Sequence, residues 1–119
     1  MPVRSLSSVV FRWPDREQVL AAARRWAVGL RREDAMVQHV YCVGSYARGD
    51  WGVGSDLDVI VIVGDAPTSV VERRRCYEPT EVPVPADVWV YTRGEWECLR
   101  EHSPHLWKRL HREMVELGA

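Results

Sequence analysis

The sequence predicts an α/β domain in which a small mixed β-sheet is flanked by helices. The run LDVIVIV at 57–63 is apolar on both faces and rich in β-branched residues, as expected of a strand buried on both sides. Apolar residues over 15–33 recur instead at helical spacing. Helices and strands alternate along the chain, and 119 residues are the length of one domain. We therefore expect residues 1–119 to share a single core.

The first predicted helix begins at Asp15. An aspartate followed three residues later by Gln18 forms a capping-box pattern, in which each residue satisfies a free backbone amide of the other. Apolar positions from Val19 to Leu30 then share one helical face, which predicts a helix over about 15–33. Residues 7–11 before it are either a short strand or a loose arm.

A glycine-rich loop separates the next two predicted strands. The first strand covers about 36–43 and ends at Gly44-Ser45, and the loop leads to the second strand at 57–63. A helix is predicted over 68–77. A proline-rich connection then leads to a third strand at 86–91.

The C-terminal part is predicted to be helical over about 93–117. Thr92 with Glu95 repeats the capping-box pattern, and Ser103-Pro104 restarts a helix. The apolar stripe of the second helix and its C-terminal stop are Leu106, Trp107, Leu110, Met114, Leu117 and Gly118. These helices carry more apolar surface than a small sheet needs. They either cover a second copy or another protein, or simply complete the core.

Charge and cysteine content restrict the class of protein. Sixteen Lys and Arg residues face seventeen Asp and Glu residues, whereas proteins that bind nucleic acid through its phosphates usually carry a basic excess. No apolar run approaches the roughly 20 residues of a membrane-spanning helix, and the N-terminus lacks the apolar stretch of a secretion signal. The odd number of cysteines and the absence of a CxxC pair favour a cytoplasmic protein.

The loop between the central strands carries the chemically informative residues. Gly44 has no Cβ to block a phosphate, and a short helical turn after it would present free amides and the Ser45 hydroxyl to an anion. Asp56 and Asp58 are two residues apart at a strand entry, so their side chains share a face. Paired carboxylates beside a phosphate site are a suitable environment for Mg²⁺. Together these residues predict metal-assisted phosphoryl or nucleotidyl transfer.

The residues from Gly44 to Asp58, GSYARG followed after five residues by SDLD, resemble the signature of the DNA polymerase beta nucleotidyltransferase superfamily. The small size resembles its minimal, MNT-type branch, and the resemblance extends over about 15–91. It implies the polymerase-beta-like fold. It also implies that Gly44 and Ser45 hold the β- and γ-phosphates of a nucleoside triphosphate.

The resemblance also assigns the metal ligands. Asp56 and Asp58 bind Mg²⁺, two ions being expected, and a third carboxylate comes from a later strand. Asp87 is the only acid inside an apolar run there, and an acid is costly to bury without a partner or a metal. Glu78 and Glu81 are weaker candidates. Further phosphate or nucleotide contacts are assigned to Arg48 and Ser55. Arg48 could equally be a surface residue.

The implied activity is transfer of a nucleotide, AMP for preference, from ATP or another triphosphate to an acceptor hydroxyl. Minimal members of the superfamily resemble antitoxins that modify a tyrosine of a HEPN-type helical partner, which makes such a protein one candidate acceptor. An aminoglycoside-like small molecule is another, although enzymes of that kind usually carry an extra helical domain. Two non-enzymatic alternatives remain open: a binding module that masks a toxin subunit by contact, and a nucleotide sensor.

The remaining reactive residue types are predicted to be structural. The four histidines have no partner at metal-ligand spacing, so surface positions are expected for them. The cysteines are expected to be buried or inert. Trp51 lies in the loop, where it either stacks on a nucleotide base or packs the loop against the core, and packing is the favoured alternative.

Overall fold

A four-stranded mixed sheet forms the centre of the part of the chain that the structure describes. The computed structural model describes residues 13–118, so the segment 7–11 lies outside the described residues. The elements are α1 (Arg16–Glu33), β1 (Val37–Val43), α2 (Ser45–Arg48), β2 (Leu57–Val63), α3 (Val70–Tyr77), β3 (Ala86–Thr92), α4 (Arg93–His102), α5 (Pro104–Glu113) and β4 (Val115–Leu117). The predicted α/β class is confirmed.

The sheet has the strand order β3-β2-β1-β4. β1 is antiparallel to both of its neighbours, β2 and β4. β2 and β3 are parallel, so the chain crosses from one end of the sheet to the other between them, through α3. This arrangement puts the C-terminal end of β1 and the N-terminal ends of β2 and β3 at the same end of the sheet.

Two hydrophobic clusters cover the two faces of the sheet. On one face, α1 packs through Val19, Ala23 and Ala27 against alternate residues of β2 that include Val59 and Val61. On the other face, Ile60 and Ile62 pack against residues of α4 and α5. The strand β2 is therefore buried on both sides, as its continuous apolar run predicts.

The helix starts follow from local capping. The Asp15 carboxylate accepts the Gln18 amide at 2.8 Å, and the Gln18 side chain accepts the Asp15 amide at 2.9 Å. Thr92 and Glu95 form the same reciprocal pair at the start of α4. Both predicted capping boxes are confirmed.

The prediction of helix up to residue 117 is wrong at its end. α5 stops at Glu113, and Val115–Leu117 forms the edge strand β4 beside β1. Leu117 is fully buried against the α1 side of the sheet, whereas Met114 packs with the other cluster. The alternation of Val115 and Leu117 fits a strand, and pairing with β1 satisfies its backbone. Gly118 approaches α1 closely, since a Cβ there would lie 3.1 Å from Ala27.

The apolar residues of α4 and α5 complete the core. Leu99 and Leu110 are buried, and Trp96, Trp107 and Met114 pack against them and against β2. Among the described residues, the large exposed hydrophobic side chains lie outside these two helices. The structure therefore supports core packing over a docking face for this helix pair. No helix within residues 13–118 is long and apolar enough to span a membrane.

Candidate active site

Strand register brings the predicted carboxylates together. Asp58 is paired with Val43 in β1 and with Asp87 in β3. Residues paired side by side in a sheet project from the same face, so Asp58 and Asp87 are neighbours on the face that α4 and α5 cover. Asp56 lies two residues before Asp58, and both line one cleft, as their spacing predicts.

The loop after β1 turns directly over Asp58. Gly44 has φ 77° and ψ −154°, a backbone conformation that is essentially restricted to glycine. A Cβ on Gly44 would lie only 2.4 Å from the Oδ2 atom of Asp58. The predicted helical turn follows as α2, in which the Arg48 amide donates to the Gly44 carbonyl at 2.9 Å. Glycine is therefore needed both for the turn and for the space beside the carboxylate.

Buried hydrogen bonds hold the rest of the loop. The hydroxyl of buried Tyr46 accepts the Trp13 indole N–H at 3.0 Å and donates to the Ser55 carbonyl at 3.3 Å. The Ser55 hydroxyl accepts the Gly52 amide at 2.8 Å. Ser55 therefore closes a turn and is not among the residues that line the cleft, and its nucleotide contact stays a prediction. Trp51 stacks on Tyr46 with ring centroids 5.7 Å apart, which supports the packing alternative.

The C-terminal helix supplies residues that sequence reasoning missed. Glu113, at the end of α5, accepts the Gly44 amide on Oε2 at 2.5 Å. Its two carboxylate oxygens also accept hydrogen bonds from Nη1 of Arg48, at 3.3 and 3.4 Å. The Nε group of Arg48 donates to Asp50 at 3.0 Å. Arg109, one helical turn before Glu113, lines the same cleft. Arg109 and Glu113 are four residues apart, so the sequence indicates that they share one face of a helix. No local sequence pattern indicates that this helix face lies against the cleft.

The cleft has a volume of about 550 Å³, within the usual range for sites that bind small molecules. Its lining brings together five of the candidate site residues, Gly44, Ser45, Arg48, Asp56 and Asp58. The rest of the lining consists of Val43, Ile60, Trp89, Tyr91, Leu106, Arg109, Leu110 and Glu113. Glu78 and Glu81 line a separate depression beside α1 and are not brought to this cleft.

The electrostatics of the cleft favour a bound cation. Burial, and after it the negative charges of Asp87 and Asp56, raise the pKa of the Asp58 carboxyl from 3.8 to about 6. Keeping Asp58 charged near neutral pH is therefore unfavourable, and a divalent cation between the carboxylates would remove the penalty. The hard oxygen donors of Asp56 and Asp58 are of the type that Mg²⁺ takes.

Asp87 is engaged elsewhere. Its Oδ1 atom accepts a hydrogen bond from Nη2 of Arg74 at 2.9 Å, and the Arg74 and Asp87 side chains are 49% and 43% exposed. Within residues 13–118, no three His, Cys, Asp or Glu side chains are spaced to hold a metal ion. Asp56 and Asp58 fit a cation by their chemistry, whereas Asp87 is paired with Arg74 and is not among the residues that line the cleft.

The pKa of Asp58 gives a testable pH dependence. Because the folded state holds the proton up to about pH 6 and the unfolded state only to about 3.8, folding stability falls as the pH rises between these values. Asp58→Asn removes the penalty. It should raise Tm by about 3 °C at pH 8, a modest value because the carboxylate is partly exposed, and should leave Tm unchanged near pH 3.5. Differential scanning calorimetry at both pH values measures this, and an equal gain at both would contradict it.

The described residues form an α/β domain with an acidic cleft at one end of its mixed sheet. A family model described as a nucleotidyltransferase domain matches residues 24–115, and the chain belongs to this family. The family resemblance carried by Gly44-Ser45 and by Asp56 and Asp58 is confirmed. The predicted polymerase-beta-like fold is also confirmed.

Solved structures with a similar fold were also found. A provisionally named nucleotidyltransferase from Sulfolobus solfataricus superposes with a TM-score of 0.61 at 20% identity, covering 85% of this chain and 80% of that one. A toxin–antitoxin structure with AMP-PNP gives a TM-score of 0.43 at 17% identity, with coverages of 87% and 72%. A toxin–antitoxin MntA–HpeT mutant gives 0.45 at 15% identity, with the same coverages. The fold similarity rests on the first of these. No curated protein sequence matched the chain significantly.

Proposed function

We propose that this protein transfers the nucleotide of a nucleoside triphosphate, with ATP the preferred donor, to an acceptor hydroxyl in a Mg²⁺-dependent reaction. One observation carries the proposal: the Asp56–Asp58 pair and the Gly44–Ser45 turn face the same cleft, with Gly44 directly against the Asp58 carboxylate. The turn provides donors for phosphate oxygens, and the acids provide the ligands of a metal. The two halves of a triphosphate–metal site are thus adjacent.

The residues have separate roles in this proposal. Gly44 and Ser45 orient the β- and γ-phosphates, and Arg48 reaches a phosphate from the side of the cleft. Asp56 and Asp58 would hold a Mg²⁺ ion, and Asp87 would supply a ligand for a second ion. Bound Mg²⁺ would stabilise charge on the phosphate oxygens and make the acceptor hydroxyl more acidic. In this proposal Asp87, paired with Asp58 on the neighbouring strand, accepts the proton of that hydroxyl.

In the transfer step the acceptor oxygen forms a bond to the α-phosphorus. The bond from that phosphorus to the oxygen bridging the α- and β-phosphates breaks, and pyrophosphate leaves with the bonding electrons. The hydroxyl proton goes to the Asp87 carboxylate and then to water. Arg48 and the amides of the turn offset the charge on the leaving group.

The acceptor that we propose is a protein tyrosine, on a helical partner of the HEPN type. Trp89 is 45% exposed, and both Trp89 and Tyr91 line the cleft. These two aromatic rings offer a surface on which the phenol ring of an acceptor tyrosine could stack. The formal net charge of −1 disfavours a polyanionic acceptor such as nucleic acid. Cys42, Cys76 and Cys98 are free thiols, which suits a reaction in the reducing cytoplasm.

Label incorporation from α-³²P-ATP tests the function. The protein is incubated with Mg²⁺ and, in parallel, with candidate helical partner proteins, tyrosine-containing peptides and aminoglycosides. We expect label in a protein acceptor, pyrophosphate release, and loss of both in Asp58→Asn. Asp65→Asn is the matched control, because Asp65 is an exposed acid just beyond β2 and outside the cleft lining.

The result also separates the alternatives. Label in an aminoglycoside instead of a protein would replace the proposed acceptor but retain the reaction. No label with any acceptor in the presence of Mg²⁺, from a protein that still binds a partner tightly, would overturn the enzymatic proposal in favour of a binding module.

A further inference from the structure

The carboxylate of Glu113 occupies the polar side of the cleft. It accepts the Gly44 amide at 2.5 Å and lies 3.3 Å from Nη1 of Arg48. Its side chain is only 8% exposed, whereas that of Arg48 is 44% exposed. The Glu113 carboxylate is therefore largely shielded from water and is bound by the Gly44 amide and the Arg48 guanidinium. These are two of the donors that the proposed function gives to the triphosphate.

The position of Glu113 is fixed by the chain on both sides. The residue ends α5, whose Leu110 is buried in the core, and it is followed after Met114 by β4, which pairs with β1. The backbone of Glu113 thus stays beside the cleft, and only its side chain has to move for another anion to reach Gly44. Charge-assisted hydrogen bonds of this kind are about twice as strong as neutral ones, so the movement has a measurable cost.

Neighbouring arginines can receive the displaced carboxylate. Arg109 and Arg112 line a shallow depression together with Arg48 and Glu113. Among the described residues, neither Arg109 nor Arg112 forms an ion pair in the structure. A rotation of the Glu113 side chain toward these arginines would leave Gly44 and Arg48 free to contact phosphate and would keep Glu113 paired.

We infer that Glu113 is a built-in competitor of the triphosphate: its carboxylate occupies the phosphate position at Gly44 and Arg48, and its displacement sets the affinity for nucleotide. The inference rests on the proposed function, because it takes the Gly44–Arg48 turn as the phosphate site. Glu113 is a residue that determines affinity and has no chemical role in the transfer step.

Isothermal titration calorimetry with ATP, inorganic tripolyphosphate and adenosine tests the inference. E113Q keeps the size of the side chain but removes its charge, and we expect it to bind ATP and tripolyphosphate about tenfold more tightly than the unaltered protein. Binding of adenosine, which has no phosphate, should not change. E116Q is the matched control, since Glu116 lies three residues further along and pairs with His39, and it should bind all three ligands like the unaltered protein.

E113D separates direct occupancy from long-range charge. It keeps the charge but shortens the side chain by one methylene, so the contact with Gly44 is weakened and tighter ATP binding is again expected. The Gly44 amide resonance in ¹⁵N spectra should shift in both variants, which also verifies that they are folded. Weaker or unchanged ATP binding by folded E113Q would overturn the inference, and so would a gain in E113Q that E113D lacks entirely.

Failure of the proposed function gives a different result. If neither the unaltered protein nor E113Q binds ATP or tripolyphosphate at millimolar concentration, the cleft is not a triphosphate site and both proposals fall. If the unaltered protein binds ATP and E113Q binds it no better, only the role of Glu113 is overturned.

Discussion

Replacing Asp87 by asparagine is expected to reduce nucleotide transfer by about 10²- to 10⁴-fold, the range associated with loss of a general base. Asp87 is paired with Asp58 across the parallel strands β2 and β3, so its carboxylate is the third acid on this face of the sheet. Asparagine has nearly the same volume, and the ion pair that it breaks with Arg74 is exposed and contributes little stability. Fold and ATP binding should therefore be retained.

The matched control for this prediction is Arg74→Gln. It removes the partner of Asp87 without changing the carboxylate, and transfer should stay within a few-fold of the unaltered protein or increase. Initial rates of label transfer, with ATP affinity measured in parallel, give both quantities. If Asp87→Asn keeps activity within about tenfold, Asp87 is not the third carboxylate, and Glu78 and Glu81 do not replace it because they line a separate depression.

Gly44→Ala is expected to abolish measurable transfer and to lower the free energy of unfolding by about 1–3 kcal/mol, the usual cost of a non-glycine residue in a sparsely populated backbone region. The added methyl group would also lie 2.4 Å from Oδ2 of Asp58, so either the turn or the carboxylate must move. Both are assigned to the triphosphate–metal site, and small displacements there affect transfer strongly.

Gly49→Ala separates backbone strain from the contact with Asp58. Gly49 also has a positive φ, 90°, but a Cβ there meets nothing within 4 Å. We expect Gly49→Ala to lose stability through strain alone and to retain transfer. Urea unfolding and the label assay measure the two effects. Full activity in Gly44→Ala would show that the turn does not position the reacting groups.

Local sequence patterns were sufficient for most of the elements. The capping boxes at Asp15 and Thr92 fix where two helices begin because each is closed by residues three apart. The apolar run of β2 indicates burial on both sides. The last strand was mistaken for helix because Leu110, Met114 and Leu117 fit a helical stripe, whereas pairing with β1, a contact distant in sequence, decides that segment.

The candidate site also combines features that local sequence patterns predict with features that depend on long-range packing. The turn at Gly44 and the shared face of Asp56 and Asp58 are predictable from the sequence alone, since both depend on residues close together in the chain. The pairing of Asp58 with Asp87 and the hydrogen bond by which Ser55 closes its own loop became evident from the folded structure. The approach of Glu113 to Gly44, across 69 residues, follows from the packing of α5 on the sheet. Spacing encodes local geometry, but strand register and helix docking are set by the burial of the whole core.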